Sequence, residues 1–378
     1  MSQAPGRISE LETPAAVVDV DRMAANLDRM AAYAREHGLA LRPHIKTHKT
    51  PELAAEQLRR GAVGVTVATP REAEVMATVV DDILVAYPPV GRARIERLLA
   101  LPERVRLTMG LDSAEALRDL AAAASPAGRE VGVLIELDLG MHRCGVPDPE
   151  AAVALAREAA ALDGIVYRGV MFYPGHIREP VAEQGPSLER VRVDLGRHLE
   201  ALAAAGVEPE VVSGGSTPAA FSFHTIDGVT EVRPGTYIFN DRTTALVDAC
   251  TWDECAYSVL ATVVSTAVPG QAVVDAGSKA LSREEIRAPG VTGYGALLDR
   301  PEVVVRTTSE EHGVLDLSAT DWRPRVGDLV RIVPNHVCVS VNLHERLWGV
   351  RGDEIVKSWE IAGRGRERLE TEGVVAGE

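Results

Sequence analysis

The sequence predicts a (β/α)8 barrel of the TIM type followed by a β-rich C-terminal domain, and three observations predict it. From Thr13 to about Tyr237, short β-branched apolar runs alternate with helical stretches rich in Ala, Leu, Arg and Glu, the pattern of a parallel sheet with crossover helices. After Asn240 strand-like runs continue, but turns such as Pro269-Gly270 and Gly327-Asp328 replace the long helical periods. At 378 residues the chain has room for more than one domain.

In chain order, the strand candidates of the first part are residues 15–20, 39–46, 64–68, 83–87, 105–111, 131–137, 169–173, 211–213 and 231–239. Residues 21–38, 51–61, 70–80, 113–124, 149–162 and 180–206 read as helices, each long enough to cross back over a strand. Nine strands are one more than the barrel needs, so residues 15–20 are assigned to the second domain and the barrel begins at Leu39. The expected domains are therefore 21–243, and 244–378 together with 1–20. In the second, residues 256–266, 271–275, 303–307 and 328–333 read as strands, and the polar tail after Gly365 is expected to fray.

Composition narrows the function. Hydrophobic residues at 46% and charged residues at 25% are ordinary globular values and argue against disorder. Residues 1–12 lack an apolar signal core and no apolar run reaches membrane length, so a soluble, cytoplasmic protein is expected. A net charge of −15 argues against nucleic acid as partner. Of the four cysteines, Cys250 and Cys255 lie close together but lack a second pair to close a zinc cage, and reduced thiols are expected.

In such a barrel, functional groups stand at the carboxyl ends of strands. Lys46 ends the first, in Arg42-Pro43-His44-Ile45-Lys46-Thr47-His48-Lys49, just before Pro51 opens a helix. Desolvation there would lower its pKa and free its amine for Schiff-base chemistry; the bland alternative is a surface lysine. Later strand ends carry Gly140-Met141-His142-Arg143-Cys144-Gly145, then Tyr173, Gly175, His176 and Arg178, then Ser213-Gly214-Gly215-Ser216-Thr217, and last Arg233-Pro234-Gly235-Thr236-Tyr237. The Gly-Gly-Ser-Thr turn offers backbone N–H groups and hydroxyls before a short helix, a phosphate cradle or a plain turn. Arg233 and Gly235 could complete that cradle or touch an aromatic nitrogen, and Arg143 and Arg233 could equally serve structural ion pairs. In the second domain, His336 and Cys338 would share one face of an extended strand, half of a divalent-metal site, unless they are a buried thiol beside a satisfied imidazole. Glu310-Glu311-His312-Gly313 is either support for that metal or a solvated turn.

Taken in order, with Asp275-Ala276-Gly277-Ser278-Lys279 and Pro334-Asn335-His336-Val337-Cys338, these motifs resemble the D-threonine aldolase and D-serine dehydratase family, pyridoxal-phosphate enzymes of the alanine racemase fold. The resemblance implies a homodimer acting on a D-amino acid, with an internal aldimine on Lys46. It implies that Arg143 approaches the ring hydroxyl and that Gly214, Gly215, Ser216, Thr217, Gly235 and Thr236 hold the phosphate. It implies too that Arg233 would face the pyridine nitrogen, that Tyr173 would count among the cofactor contacts and that Lys279 would be structural. By the same resemblance His336 and Cys338 would hold a divalent ion, Zn²⁺ or Mn²⁺, on the substrate β-hydroxyl.

Which bond to Cα breaks then decides the reaction. His176 resembles the histidine that takes the β-hydroxyl proton in the aldolases, which puts retro-aldol cleavage to glycine and an aldehyde first. The His-x-Cys pair is of the dehydratase type, where the aldolases carry an aspartate, so β-elimination to a 2-oxo acid and ammonia is the alternative. Arginine at the pyridine nitrogen is a racemase feature, which makes racemisation the third reading. A cofactor carrier without catalysis has no need of the metal pair.

Overall fold

The computed structural model describes residues 6–286 and 291–368. Eight parallel strands form one sheet: Ala40–Leu41, Val65–Val67, Asp82–Val85, Arg106–Leu111, Val131–Leu137, Ile165–Phe172, Val211–Gly214 and Glu231–Val232. Its ends meet, because Val63 N donates to Leu41 O at 2.9 Å, Thr66 N to Pro43 O at 2.8 Å, and His44 bridges Thr66 in parallel. The strands are buried on both faces, Val131–Leu137 over its whole length, as expected when helices cover a parallel sheet.

Helix starts follow local chemistry. The side chains of Asp19, Thr69, Ser113 and Asp148 each accept from backbone N–H groups of the first turn, and Pro70 and Pro149 stand at the positions where their missing N–H costs nothing. The helix Arg92–Leu99 was not anticipated; it starts from Gly91 at φ 94° with no side-chain cap, so its sequence lacks a start signal.

Two expected strands are much shorter. Of 39–46 only Ala40–Leu41 is strand, and the chain turns into the 3₁₀ helix Ile45–Thr47, because Pro43 offers no N–H to a ladder. Of 231–239 only Glu231–Val232 is strand; Pro234-Gly235 ends it, and Thr236–Ile238 is a 3₁₀ turn.

In the second sheet, Tyr257–Ser265 pairs with Gln271–Val274 and with Leu329–Pro334. Through Gly313–Asp316, Arg300–Thr308 and Gly295–Leu297 these strands close a six-stranded antiparallel barrel. Ala15–Asp19 adds outside it, antiparallel to Tyr257–Ser265 and parallel to Arg346–Arg351, which pairs with Glu354–Glu360. Among the described residues no helix is long and apolar enough to cross a membrane.

Beneath the carboxyl rim of the parallel barrel lies a layer of charge. Arg42 Nε meets Glu231 at 2.7 Å and its Nη1 meets Asp82 at 2.7 Å, Arg106 pairs with the same Asp82, and Ser213 Oγ donates to Glu231 at 2.6 Å. A Cβ on Gly64 would collide with the Arg42 guanidinium, so glycine makes room for it.

Candidate active site

The turn after the first strand separates the roles of its four basic residues. His44 Nδ1 accepts from Lys46 N at 3.4 Å, and burial, with Lys46 and Arg233 nearby, holds its imidazole well below the usual range. His48 is buried; its Nδ1 accepts from Thr50 N, its Nε2 donates to Gln57 Oε1 at 3.2 Å, and Gln57 donates to the Tyr237 hydroxyl. That burial pushes His48 down to about 4. Lys49 pairs with Glu72 at 3.2 Å. Lys46, unlike Lys49, has no carboxylate within ion-pair distance among the described residues, and its Nζ lies 5.7 Å from the centre of the Tyr173 ring. Arg143 approaches the same ring at 5.0 Å and Glu136 at 4.0 Å.

The cradle is built from the last two strands of the barrel. Val211–Gly214 leads through Gly215, at φ 109°, into Ser216, which starts the 3₁₀ helix Thr217–Thr225. A Cβ on Gly214 would enter the Phe172 ring, and one on Gly235 would stand 2.9 Å from His44 O and 3.0 Å from Thr47 Oγ1. Thr217 Oγ1 accepts from Tyr237 N at 3.2 Å, which ties the two halves of the cradle. Arg233 is buried, and its Nη2 donates to Phe172 O at 2.7 Å. Burial lowers its pKa, against the pull of Glu231 and Glu136.

Three buried polar atoms here have no partner: Ser216 Oγ, Arg233 Nε and His176 Nδ1. Leaving such a group unmade costs about 1–3 kcal/mol, and all three stand on segments at the barrel rim. A hydroxyl at a helix start and a buried guanidinium N–H suit an anionic phosphate and a ring nitrogen, so the residues present fit pyridoxal phosphate.

The opposite wall is the turn 138–145. Asp138 accepts from Gly140 N at 3.1 Å, His142 N at 2.9 Å and His142 Nδ1 at 2.9 Å. These bonds outweigh burial and hold its carboxyl below the usual range. Gly140, at φ 110°, lets His176 lie against the turn, since a Cβ there would be 3.0 Å from His176 Nε2. Burial lowers the His176 pKa, so the ring is neutral near pH 7 and free to accept a proton.

His336 and Cys338 are not on an extended strand. The strand ends at Pro334, His336 is the N-cap of the helix Val337–Leu343, and Cys338 lies in its first turn. The turn places the two side chains near enough to shift each other's pKa, the proximity that the strand alternation was expected to give. Its cause is Asp241, whose Oδ2 accepts from Val337 N at 3.1 Å and from His336 Nδ1 at 3.1 Å. Cys338 Sγ lies 3.1 Å from Thr47 Oγ1 and 3.8 Å from Thr236 Oγ1, so this corner abuts both the lysine turn and the cradle. Burial raises the thiol, but His336 and Lys46 outweigh it and bring Cys338 down to about 7. Burial likewise opposes the charge on His336, and Cys338 and Asp241 overcome it and raise the imidazole well above its usual range.

Imidazole plus thiol is a donor set for zinc or a similar ion. Among the described residues no cluster of three or more His, Cys, Asp or Glu side chains could hold a metal, so an ion here would have two protein ligands. Glu310 and Glu311 pair with exposed Lys279 at 2.9 and 2.8 Å, which makes that polar cluster a surface feature. Sequence reasoning missed Asp241; its signal was Asp241-Arg242-Thr243-Thr244, a capping box that starts the helix Arg242–Leu246.

The family described as alanine racemase, N-terminal domain, matches residues 18–243, and a putative serine dehydratase domain matches residues 256–350. A D-threonine aldolase from an Arthrobacter species is 33% identical over 96% of this chain and 95% of its own length. D-threo-3-hydroxyaspartate dehydratase from Delftia sp. strain HT23 is 37% identical over 93% of this chain and 97% of its own. The crystal structure of D-threonine aldolase from Filomicrobium marinum superposes with a TM-score of 0.87 at 34% identity, covering 96% of this chain and 98% of that one. Two variants of D-threo-3-hydroxyaspartate dehydratase superpose with TM-scores of 0.86, one at 35% identity over 94% of this chain and 99% of that one, the other at 34% over 94% and 96%. The first is a cysteine-to-alanine variant in the metal-free form, the second a histidine-to-alanine variant two positions earlier. With both domains matched and relatives above 30% identity along nearly its whole length, the chain belongs to the D-threonine aldolase and D-serine dehydratase family, pyridoxal-phosphate-dependent lyases of the alanine racemase fold.

Proposed function

We propose that the chain is a metal-dependent dehydratase of D-3-hydroxy-amino acids, removing water across Cα and Cβ to release a 2-oxo acid and ammonia. The observation that carries this reading is the His336–Cys338 pair, packed on Thr47 next to the lysine turn. The same spacing of histidine and cysteine was the target of substitution in the dehydratase neighbour, whose cysteine-to-alanine variant was solved in a metal-free form. Dehydration therefore stands ahead of cleavage, the reverse of the order taken from the sequence.

Bound pyridoxal phosphate supplies an electron sink for the bond that breaks at Cα, and a divalent ion, zinc or manganese, supplies Lewis acidity at the β-hydroxyl. Gly214, Gly215, Ser216, Thr217, Gly235 and Thr236 would hold the phosphate, Arg233 would face the ring nitrogen, and Arg143 and Tyr173 would flank the ring. His336 and Cys338 would hold the ion and leave positions open for substrate. Lys46 takes the Cα proton through its amine, which no carboxylate neutralises. The departing hydroxyl would take that proton back from Lys46 and leave as water, and the released enamine would tautomerise and hydrolyse to the oxo acid and ammonia.

His176 favours a second reading. A neutral imidazole with a buried, unpartnered Nδ1 is suited to accept the β-hydroxyl proton, and that step leads to retro-aldol cleavage. Product analysis separates the two. Protein loaded with pyridoxal phosphate is given D-threo-3-hydroxyaspartate, D-serine and D-threonine, with added Zn²⁺ or Mn²⁺ or with EDTA. Oxo acid and ammonia that vanish with EDTA support dehydration; glycine and an aldehyde overturn it in favour of cleavage.

A further inference from the structure

We propose that Asp241 is the positioning residue of the metal corner, fixing His336 so that its Nε2 lone pair is presented to the ion. This rests on the reading of His336 and Cys338 as metal ligands.

Asp241 has no exposed surface, yet its carboxylate is saturated. Oδ1 accepts from Thr244 N at 2.9 Å and from Thr244 Oγ1 at 3.0 Å; Oδ2 accepts from His336 Nδ1 and Val337 N, each at 3.1 Å. One side chain thus caps two helices, Arg242–Leu246 and Val337–Leu343. With Oδ2 accepting from Val337 N and facing Nδ1, it is Nδ1 of His336 that points an N–H at Asp241, and Nε2 is the atom at which a metal would replace a proton.

The residues after Asp241 clamp the same turn. Thr243 Oγ1 donates to Asn335 O at 2.6 Å and Arg242 Nη1 to Asn335 Oδ1 at 3.1 Å, while Asn335 Nδ2 donates to Glu284 O and Gly293 O at 2.8 Å. Position and tautomer of His336 are therefore set from one short helix start. A cap that served the two helix starts alone would need Thr244 N and Val337 N, and it would not need the contact to His336 Nδ1.

The test is Co²⁺ titration of the pyridoxal-phosphate-loaded, metal-free protein, followed by the thiolate-to-cobalt charge-transfer band. Asp241→Asn keeps the shape but can turn an N–H toward His336 Nδ1, forcing the proton onto Nε2. Asp241→Ser keeps a cap for Thr244 N and is too short to reach His336. Each folded variant is expected to bind Co²⁺ roughly ten- to a hundredfold more weakly, with cofactor absorbance unchanged. Thr244→Val, which removes the hydroxyl that contacts Asp241 N, Asp241 O, Asp241 Oδ1 and Cys250 Sγ, is expected to lower thermal stability and leave Co²⁺ affinity within about twofold, since none of these contacts touches His336. Wild-type affinity in either Asp241 variant overturns the proposal, as does a Thr244→Val loss equal to theirs. A wild-type protein with no charge-transfer band would instead overturn the metal reading itself.

Discussion

The barrel contains two polar layers a few residues apart along the same strands, and they are treated in opposite ways. In the lower layer Arg42, Asp82, Glu231 and Ser213 satisfy one another. At the rim, Ser216 Oγ, Arg233 Nε and His176 Nδ1 are buried with no partner. The chain can pair buried charge where it needs to, so the orphaned atoms above are not a failure of packing. On the proposed function they are where a ligand would supply the missing partners, and the lower layer holds the strands that present them. Removing a rim residue should therefore cost activity or ligand affinity, and removing a lower residue should cost stability.

The largest effect is expected at the rim. Lys46→Ala should lower turnover by roughly 10³- to 10⁴-fold, the upper range for loss of a positioned proton-transfer group, while the thermal midpoint of the cofactor-free protein stays put. Steady-state kinetics beside calorimetry would check this, and a variant that keeps turnover removes Lys46 from the chemistry. In the lower layer Arg42→Ala should do the reverse. It strips a buried cation from two carboxylates, and breaking such a pair costs about 3–5 kcal/mol, read as a lower urea midpoint. A small change there would mean that the layer is solvated in solution and the contrast between the layers is false.

The same contrast explains what was legible in the sequence. The rim motifs could be read because their chemistry is local: Pro43 before Lys46, two glycines before Ser216 and Thr217, Pro234-Gly235 after Arg233. What could not be read depends on partners far along the chain. Residues 231–239 look like a strand, but the ladder stops at Val232 where the proline has no N–H to give. His336 and Cys338 have a strand's alternation, and the helix that bends them together is capped by Asp241, 95 positions away. Arg346–Arg351 and Glu354–Glu360 went unread because they form an edge ribbon whose outward charges hide the alternation. The pairing of Arg42 with Asp82 and Glu231 left no local trace either, since it crosses three strands.

Ser216→Ala is a finer test of the rim. Because Ser216 Oγ has no protein partner, its loss should leave the cofactor-free protein unchanged in stability to within about 0.5 kcal/mol. The hydrogen bond it would make to a phosphate is charge-assisted, of the order of 1.5–3 kcal/mol, so pyridoxal-phosphate affinity should fall by roughly ten- to a hundredfold. Fluorescence titration with the cofactor measures it. A destabilised apo-protein with unchanged affinity would place Ser216 in the structural class.

The smallest effect concerns the histidines of the lysine turn. His48 is neutral when folded because burial pushes it down to about 4, whereas an unfolded histidine titrates near 6.5. Between those values the unfolded chain holds a proton that the folded one refuses, so stability falls as pH drops through the window, by at most about 1.4 kcal/mol per pH unit for one group. His44 is shifted in the same direction. His336, raised above 6.5 by Cys338 and Asp241 against burial, opposes the fall between pH 7 and 6 in metal-free protein and is silent only well below 6.5, where both states are protonated. Depressed carboxylates such as Asp138 lose their contribution only at lower pH. Urea midpoints at pH 7, 6 and 5 should therefore fall for the wild type and fall less steeply for His48→Gln. Equal slopes would mean that His48 takes up its proton in the folded protein, and that the network running from it through Gln57 to Tyr237 belongs with the open rim rather than with the paired layer below.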